Sequence, residues 1–253
     1  MPHHQVLLHH DGPALWPTHK PLAEVLEIRD TTPELVWSGT YQGVPTPPGG
    51  YIFKRHWWPA ERRYDLDDTG IRNLAYQRFL SWDTALKDDE EADLDYSAYT
   101  VAEIWPDYRL GLRYVHQQRL EFPDLPLAIE QAAMRWNFDE KLAGILIEDK
   151  QSGTSALQTL AATSPDWIKR LLIPFIPTTD KISRAQQAAV WCKNGCVMLP
   201  RPALDLYWLI DFEDELFNFP QAAHDDRVDS FSQLVLYLEH ILAAGRKARG
   251  EID

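Results

Sequence analysis

Short apolar runs that end in acidic residues alternate with helical segments from about residue 78 onward, and no other feature of the chain limits its fold as much. The runs predict three adjacent strands, at residues 78–85, 96–104 and 109–117. After these strands the pattern predicts helix 126–137, strand 143–148, helix 154–162, strand 171–175 and helix 181–193. Because helices that alternate with strands cover the faces of one sheet, the sequence predicts an α/β fold.

The end of the chain predicts a helix with one apolar face. Its apolar residues recur at three- and four-residue steps, at Val228, Phe231, Val235, Leu238 and Leu242. On a helix this spacing forms a single apolar stripe. We expect that stripe to face the interior of the protein.

Residues 1–75 differ in composition from the rest of the chain. They are rich in Pro, Trp and charged residues, and the string PTPPGG at 45–50 sustains neither a helix nor a central strand. The sequence therefore predicts an irregular N-terminal arm or connector at 1–75 and a folded domain at 76–253. The acidic run at 88–95 predicts a solvated loop.

The composition is typical of a globular protein. Hydrophobic residues make up 45% of the 253 residues, which suffices for one large core or two smaller ones. No apolar run reaches the roughly 18 residues that a membrane span needs, and the N-terminus does not resemble a signal peptide. We expect a soluble, cytoplasmic protein with no membrane partner. Cys192 and Cys196 have no further zinc ligands at matching spacing, so two reduced thiols are expected.

The formal net charge of −13 bears on nucleic-acid binding. Nonspecific binding to phosphates is driven by Lys and Arg, so this charge argues against tight, nonspecific coating of nucleic acid. The argument is weaker where carboxylates are concentrated at a metal site, because bound cations invert the local field and bridge to phosphate.

Carboxylates stand where three apolar elements end. They are Asp83 in the first strand, Glu148 and Asp149 at the end of GILIED, and Asp225, Asp226 and Asp229 at the start of the last helix. An unpaired carboxylate inside an apolar strand costs several kcal/mol, and a hard cation such as Mg²⁺ or Mn²⁺ is one partner that removes this cost. Singly, Asp83 is equally compatible with an Arg or amide partner, and Asp225 with a helix cap. Only the set of three positions favours metal binding.

Five segments, in chain order, resemble the nuclease domain of phage DNA-packaging terminase large subunits. They are YQGVPTPPGGYIFKRHWW from residue 41, SWDTALKDDEEADLDYSAYTV from 81, ILIEDKQSGTSALQTL from 145, DKISRAQQAAVW from 180 and HDDRVDSFSQLVLYL from 224. The resemblance spans roughly residues 15–242. It implies a ribonuclease H-like fold, with a mixed sheet flanked by helices. It also implies a divalent-metal-dependent endonuclease that cuts concatemeric double-stranded DNA during genome packaging.

The resemblance also implies the ligands of a two-metal site for Mg²⁺ or Mn²⁺. Asp83, Glu148 and Asp226 match the acidic positions of the family and are the predicted catalytic and metal-binding residues. Asp149 is an alternate to Glu148, because neighbouring residues on a strand point to opposite faces. Asp225 is an alternate to Asp226, because the helical phase puts it nearer the apolar stripe.

Three further residues, His224, Lys150 and Asp229, are possible accessories of this site, and Arg227 lies beside it. His224 would shape the site or position water, although a lone His near a core stripe is more often structural. Lys150 and Arg227 lie beside the carboxylates and would meet the scissile phosphate, a role that most surface cations do not have. Asp229 is a further carboxylate of the last helix.

Large subunits of this family begin with an ATPase whose phosphate-binding loop has the pattern GxxxxGK[ST], and no such string occurs here. The resemblance therefore implies an ATPase domain, the small terminase subunit, the portal and double-stranded DNA as partners. It also implies that a virus or prophage encodes the chain and that the protein acts in the cytoplasm of the host cell. Two alternatives stay open. One is another ribonuclease H-like nuclease, of the junction-resolvase, transposase or ribonuclease H type. The other is a noncatalytic packaging module that docks on the portal or small subunit.

Overall fold

The structure is a computed structural model that describes residues 18–31, 50–66, 68, 70, 75–84, 96–150 and 152–248. Seven strands form one sheet: β1 (Arg63–Tyr64), β2 (Gln77–Thr84), β3 (Tyr96–Ile104), β4 (Leu110–Arg119), β5 (Leu142–Glu148), β6 (Leu172–Phe175) and β7 (Val197–Pro200). The α-helices are α1 (Leu22–Thr31), α2 (Leu125–Trp136), α3 (Ser152–Thr163), α4 (Asp166–Lys169), α5 (Lys181–Lys193), α6 (Tyr207–Asn218) and α7 (Asp226–Ala248). Short 3₁₀ turns lie at Arg55–Trp57, Ala60–Arg62 and Phe122–Asp124.

The sheet is mixed, with the strand order β1-β7-β4-β3-β2-β5-β6. Strands β2, β3 and β4 form an antiparallel meander, while β5 and β6 run parallel to β2 on one side. On the other side, β7 and β1 run parallel to β4. The carboxyl ends of β2, β5 and β6 therefore lie along the same edge of the sheet.

Helices cover both faces of the sheet, and the alternation of side chains along each strand divides the core in two. On one face, Trp82 of β2 and Ile147 of β5 pack with residues of α2, α3 and α4. On the other face, Phe79 of β2 and Leu146 of β5 pack with residues of α5, α6 and α7. Because both faces of the sheet are covered, every residue of β2 and β3 after the first is buried.

The predicted α/β plan is confirmed in its main elements. The three adjacent strands exist, and β3 and α5 have the predicted bounds. In α7, Val228, Phe231 and Leu238 of the predicted stripe are buried. The sequence pattern does not predict α1, α4, α6 or β7. Within the described residues, neither Cys192 nor Cys196 forms a disulfide bond.

Part of the predicted irregular arm belongs to the folded sheet. Strand β1 pairs with β7, and Phe53 and Trp58 are buried in the core that α7 covers. The indole nitrogen of Trp58 donates a hydrogen bond to the carbonyl oxygen of Val197 at 2.9 Å. The helix α1 also lies within the predicted arm. The division of the chain at residue 75 stays a prediction.

Two sequence predictions lie outside the described residues: the acidic loop at 88–95 and most of the PTPPGG string. Membrane spanning can be judged for the described part of the chain. No helix there is both long enough and apolar enough to cross a bilayer.

A candidate metal centre at the strand ends

Two neighbouring parallel strands bring Asp83 and Glu148 together. The last matched pair of β2 and β5 is Trp82 with Ile147, so Asp83 and Glu148 each lie one residue further along. Because side chains alternate along a strand, both carboxylates point away from the face of Trp82 and toward the face that α7 covers. Both are buried, with exposed fractions of 7% and 8%.

Helix α7 adds two more carboxylates at its first turn. Asp226 is the first residue of the helix, and Asp229 lies one turn later, almost completely buried. The helix is attached to the sheet beside them, since the hydroxyl groups of Ser230 and Thr100 are hydrogen-bonded at 2.8 Å. The start of α7 is therefore held against β3, the neighbour of the strand that carries Asp83.

The electrostatics of Asp83 show that these carboxylates act on one another. Burial, together with the negative charges of Asp229 and Glu148, raises the pKa of Asp83 well above its ordinary value. The positive charge of Lys181 opposes this shift. Within the described part of the chain, the carboxylate of Asp83 has no hydrogen bond or salt bridge. A buried carboxylate in such surroundings is stabilised by a bound cation.

Helix α5 supplies two cations that sequence reasoning missed. The ammonium group of Lys181 lies 2.9 Å from an oxygen of Asp225 and 2.5 Å from an oxygen of Asp229, and Arg184 lies 3.2 Å from Asp229. Burial raises the pKa of Asp229, and Lys181 and Arg184 partly offset this effect. The one sequence signal that could have indicated these two cations is their spacing, since Lys181 and Arg184 lie three residues apart on one helical face of the DKISRAQQAAVW segment.

The two alternate ligands have other contacts. Asp149, one residue after Glu148, accepts a hydrogen bond from the hydroxyl group of Thr154 at 2.6 Å. Asp225 is bound by Lys181 at the surface. By contrast, Asp226 accepts a hydrogen bond from the side-chain amide of Gln117 in β4 at 2.8 Å and lies among the groups that act on Asp83.

The accessory residues lie in different surroundings. Lys150 lies 2.9 Å from Glu148. His224 is exposed, and its ring packs edge-on against Tyr96 with 4.9 Å between ring centroids. Arg227 forms a salt bridge with Glu215 at 3.1 Å, so its guanidinium group is directed toward α6.

A carboxylate of α6 fixes the first turn of α7. Glu215 accepts a hydrogen bond from the backbone N–H of Val228 at 3.0 Å, which satisfies one of the free donors at the start of a helix. Burial raises the pKa of Glu215 to about 7, although this hydrogen bond and Arg227 lower it. The position of Asp226 therefore depends on a residue outside the carboxylate group.

The turn after β5 packs tightly against the ends of both strands. The hydroxyl group of Ser152 donates a hydrogen bond to the carbonyl oxygen of Thr84 at 2.7 Å. Gly153 lies so close to Glu148 that a Cβ atom at this position would be 1.7 Å from the carbonyl oxygen of Glu148. Glycine is required here for close approach of the two backbone segments.

The donor atoms of the centre fit a hard divalent cation. Asp83, Glu148 and Asp226 offer only carboxylate oxygens, the ligand type that Mg²⁺ and Mn²⁺ prefer. With the side chains in their present positions, no group of three or more Asp, Glu, His or Cys within the described ranges is arranged to enclose a metal ion. Lys150 lies beside Glu148, and Lys181 lies beside Asp229.

The mixed sheet with helices on both faces defines a ribonuclease H-like domain, as the resemblance implied. A family model described as the terminase RNaseH-like domain matches residues 80–238, more than half of the chain. The chain belongs to this family. No curated protein sequence matches it.

Solved terminase structures are similar to this chain. The human cytomegalovirus terminase nuclease domain is 12% identical, with a TM-score of 0.51 over 72% of this chain and 94% of that chain. The large terminase of a thermophilic bacteriophage, in complex with ADP, is 8% identical, with a TM-score of 0.51 over 84% of this chain and 51% of that chain. The chain thus spans about half the length of that phage protein. The large terminase nuclease of thermophilic phage G20c with bound zinc is 18% identical, with a TM-score of 0.44 over 62% and 78%.

Proposed function

We propose that this chain is a divalent-metal-dependent endonuclease domain that cuts concatemeric double-stranded DNA during viral genome packaging. Its membership of the terminase RNaseH-like family supports this function. The single observation that carries the proposal is Asp83, which is buried beside the carboxylates of Glu148, Asp226 and Asp229. Such a group of negative charges is stable when cations bind between its members.

In this proposal Asp83, Glu148 and Asp226 hold two Mg²⁺ or Mn²⁺ ions. When bound, the ions would supply an activated water for in-line attack and charge stabilisation for the departing 3′ oxygen. Asp83 and Glu148 contribute ligands from rigid strands, and Gln117 orients Asp226 through its hydrogen bond. Lys150, whose side chain is largely exposed beside Glu148, is placed to contact a DNA phosphate.

The remaining partners follow from the family and the charge of the chain. Because the chain carries a net charge of −13, we propose that it grips DNA weakly by itself and cuts only at low salt or high protein concentration. In the host-cell cytoplasm, a terminase ATPase domain, the small subunit and the portal would supply the rest of the DNA contact. The virus or prophage that encodes the chain would encode these partners.

Plasmid cleavage in Mn²⁺, Mg²⁺ or EDTA tests the proposed activity. The wild-type protein is compared with Asp83→Asn and with the control Asp166→Asn, which changes an exposed carboxylate on α4. We expect cleavage in both metals, none in EDTA, loss of cleavage in Asp83→Asn and unchanged cleavage in the control. Four-way junctions and RNA·DNA hybrids are tested beside the plasmid, and a preference for either would replace DNA packaging with another ribonuclease H-like function.

A noncatalytic docking module predicts a different set of results. Such a protein would cut no substrate, and Mn²⁺ would not raise its melting temperature. Asp83→Asn would then change only stability. Cleavage that persists in EDTA or in Asp83→Asn would refute the proposed metal-dependent mechanism.

A further inference from the structure

Lys181 joins the metal centre from a helix that carries none of the predicted ligands. It is the first residue of α5, directly after the N-cap Asp180. Its ammonium group lies within 3 Å of two carboxylates at the start of α7, Asp225 at 2.9 Å and Asp229 at 2.5 Å. Lys181 therefore links α5 to α7 at the point where α7 delivers its carboxylates.

The two other cations of the centre differ from Lys181. Arg184 is buried and bound to Asp229, so its charge is fixed in place. Lys150 pairs with Glu148, two residues earlier in the same segment, and links no separate elements. The side chain of Lys181 is about half exposed, at 48% of its maximum. It can therefore move into solvent without the cost of exposing a buried group.

The positive charge of Lys181 also acts on a carboxylate that it does not contact, that of Asp83. It lowers the pKa of Asp83, against the larger effects of burial and of Asp229. An ammonium group in this position stabilises the ionised carboxylates when no metal is bound. The same charge repels a divalent ion that approaches those carboxylates, because like charges repel strongly where water is partly excluded.

We propose that Lys181 is an internal counter-cation of the centre: it neutralises Asp225 and Asp229 in the metal-free protein and thereby weakens the binding of divalent ions. This inference rests on the proposed metal-dependent function. Lys181 is a positioning residue in this scheme, since it acts through the carboxylates. It makes the metal-free fold stable and keeps the centre empty at low metal concentration.

The test compares three variants in two measurements. Lys181→Gln removes the charge but keeps a hydrogen-bond donor, and Lys181→Arg keeps the charge. Lys193→Met is the matched control, because it removes the charge of an exposed lysine at the far end of the same helix. Melting temperature is measured in EDTA, and Mn²⁺ affinity is measured by isothermal titration calorimetry.

We expect Lys181→Gln to melt at a lower temperature than the wild-type protein in EDTA and to bind Mn²⁺ about tenfold more tightly. Lys181→Arg and Lys193→Met should resemble the wild-type protein in both measurements. If Lys181→Gln is unfolded in EDTA, both proteins are first unfolded in urea, and the Mn²⁺ concentration at half-refolding gives the same comparison.

Two results would overturn the inference alone. One is an unchanged melting temperature of Lys181→Gln in EDTA. The other is Mn²⁺ binding by this variant that is equal to, or weaker than, that of the wild-type protein. Absence of Mn²⁺ binding by the wild-type protein is a distinct outcome, which would overturn the proposed function and the inference with it.

Discussion

Replacing Gly153 with alanine tests whether the backbone position of Glu148 sets the geometry of the proposed metal centre. A Cβ atom at residue 153 would lie 1.7 Å from the carbonyl oxygen of Glu148, and Cβ atoms in proteins do not approach other atoms closer than 3.0 Å. The two atoms must therefore separate by 1.3 Å, the difference between these distances. The nearby hydroxyl oxygen of Thr84, at 3.1 Å, limits movement in that direction.

The strain falls on the end of β5. The preceding residues of this strand, from Gly144 to Ile147, are buried in the sheet, so Glu148 and the turn after it must move. A displacement of about 1 Å at a reacting centre costs on the order of 100-fold in rate. The crowding itself costs about 1 to 3 kcal/mol of stability, which leaves a typical domain folded.

Initial rates of plasmid nicking in Mn²⁺, with melting temperatures in EDTA, measure both effects of Gly153→Ala. The control is Ser155→Ala, two residues later on the same helix, where the side chain is exposed. We expect about a 100-fold slower rate for Gly153→Ala and a normal rate for the control. A folded Gly153→Ala protein that cuts at the wild-type rate would show that the backbone position of Glu148 does not set the rate of cleavage.

Three more predictions concern single side chains. Glu148→Gln should abolish cleavage while Asp149→Asn retains it, and the reverse pattern in the same nicking assay would exchange the two ligand assignments. Burial raises the pKa of Glu215 from its ordinary 4.5 to about 7. Between these two pH values the folded protein therefore keeps a proton on Glu215, whereas the unfolded chain has released it. The free energy of unfolding should therefore fall by about 2 to 3 kcal/mol as the pH rises from 4.5 to 7, and urea unfolding of Glu215→Gln should lack this part of the fall. Burial also raises the pKa of the Cys192 thiol, so iodoacetamide should modify Cys196 alone in the native protein, and mass spectrometry that finds label on Cys192 would contradict this.

The elements that could be predicted are those whose periodicity is strong and local. Strand β3 has aromatic or aliphatic residues at six of its nine positions, and α5 begins with an Asp cap at residue 180. Helix α6 could not be predicted in the same way, since it starts after Leu206 with no side-chain cap and its apolar residues are interrupted by four acidic ones. Strand β7 has only four residues and ends in proline, too short for a periodic signal.

The carboxylates of the candidate site could be predicted from the sequence, whereas its cations could not. Asp83 and Glu148 stand out because each interrupts or ends an apolar strand, which is visible in the sequence. Lys181 and Arg184 look like ordinary helix-surface residues until α5 packs against α7. Their partner Asp229 lies 45 residues or more along the chain, so only the tertiary fold reveals the contact.

The two outermost strands of the sheet limit backbone strand pairing between copies of the domain. Strand β1 has two residues, and β6 has four, with Pro174 among them. A proline has no N–H to donate, and a two-residue strand offers almost no backbone to pair. Within the described part of the chain, both sheet margins are therefore poor templates for intermolecular strand pairing, the usual first step of β-aggregation. At the high protein concentration at which the proposed cleavage would occur, the sheet would resist forming fibrils.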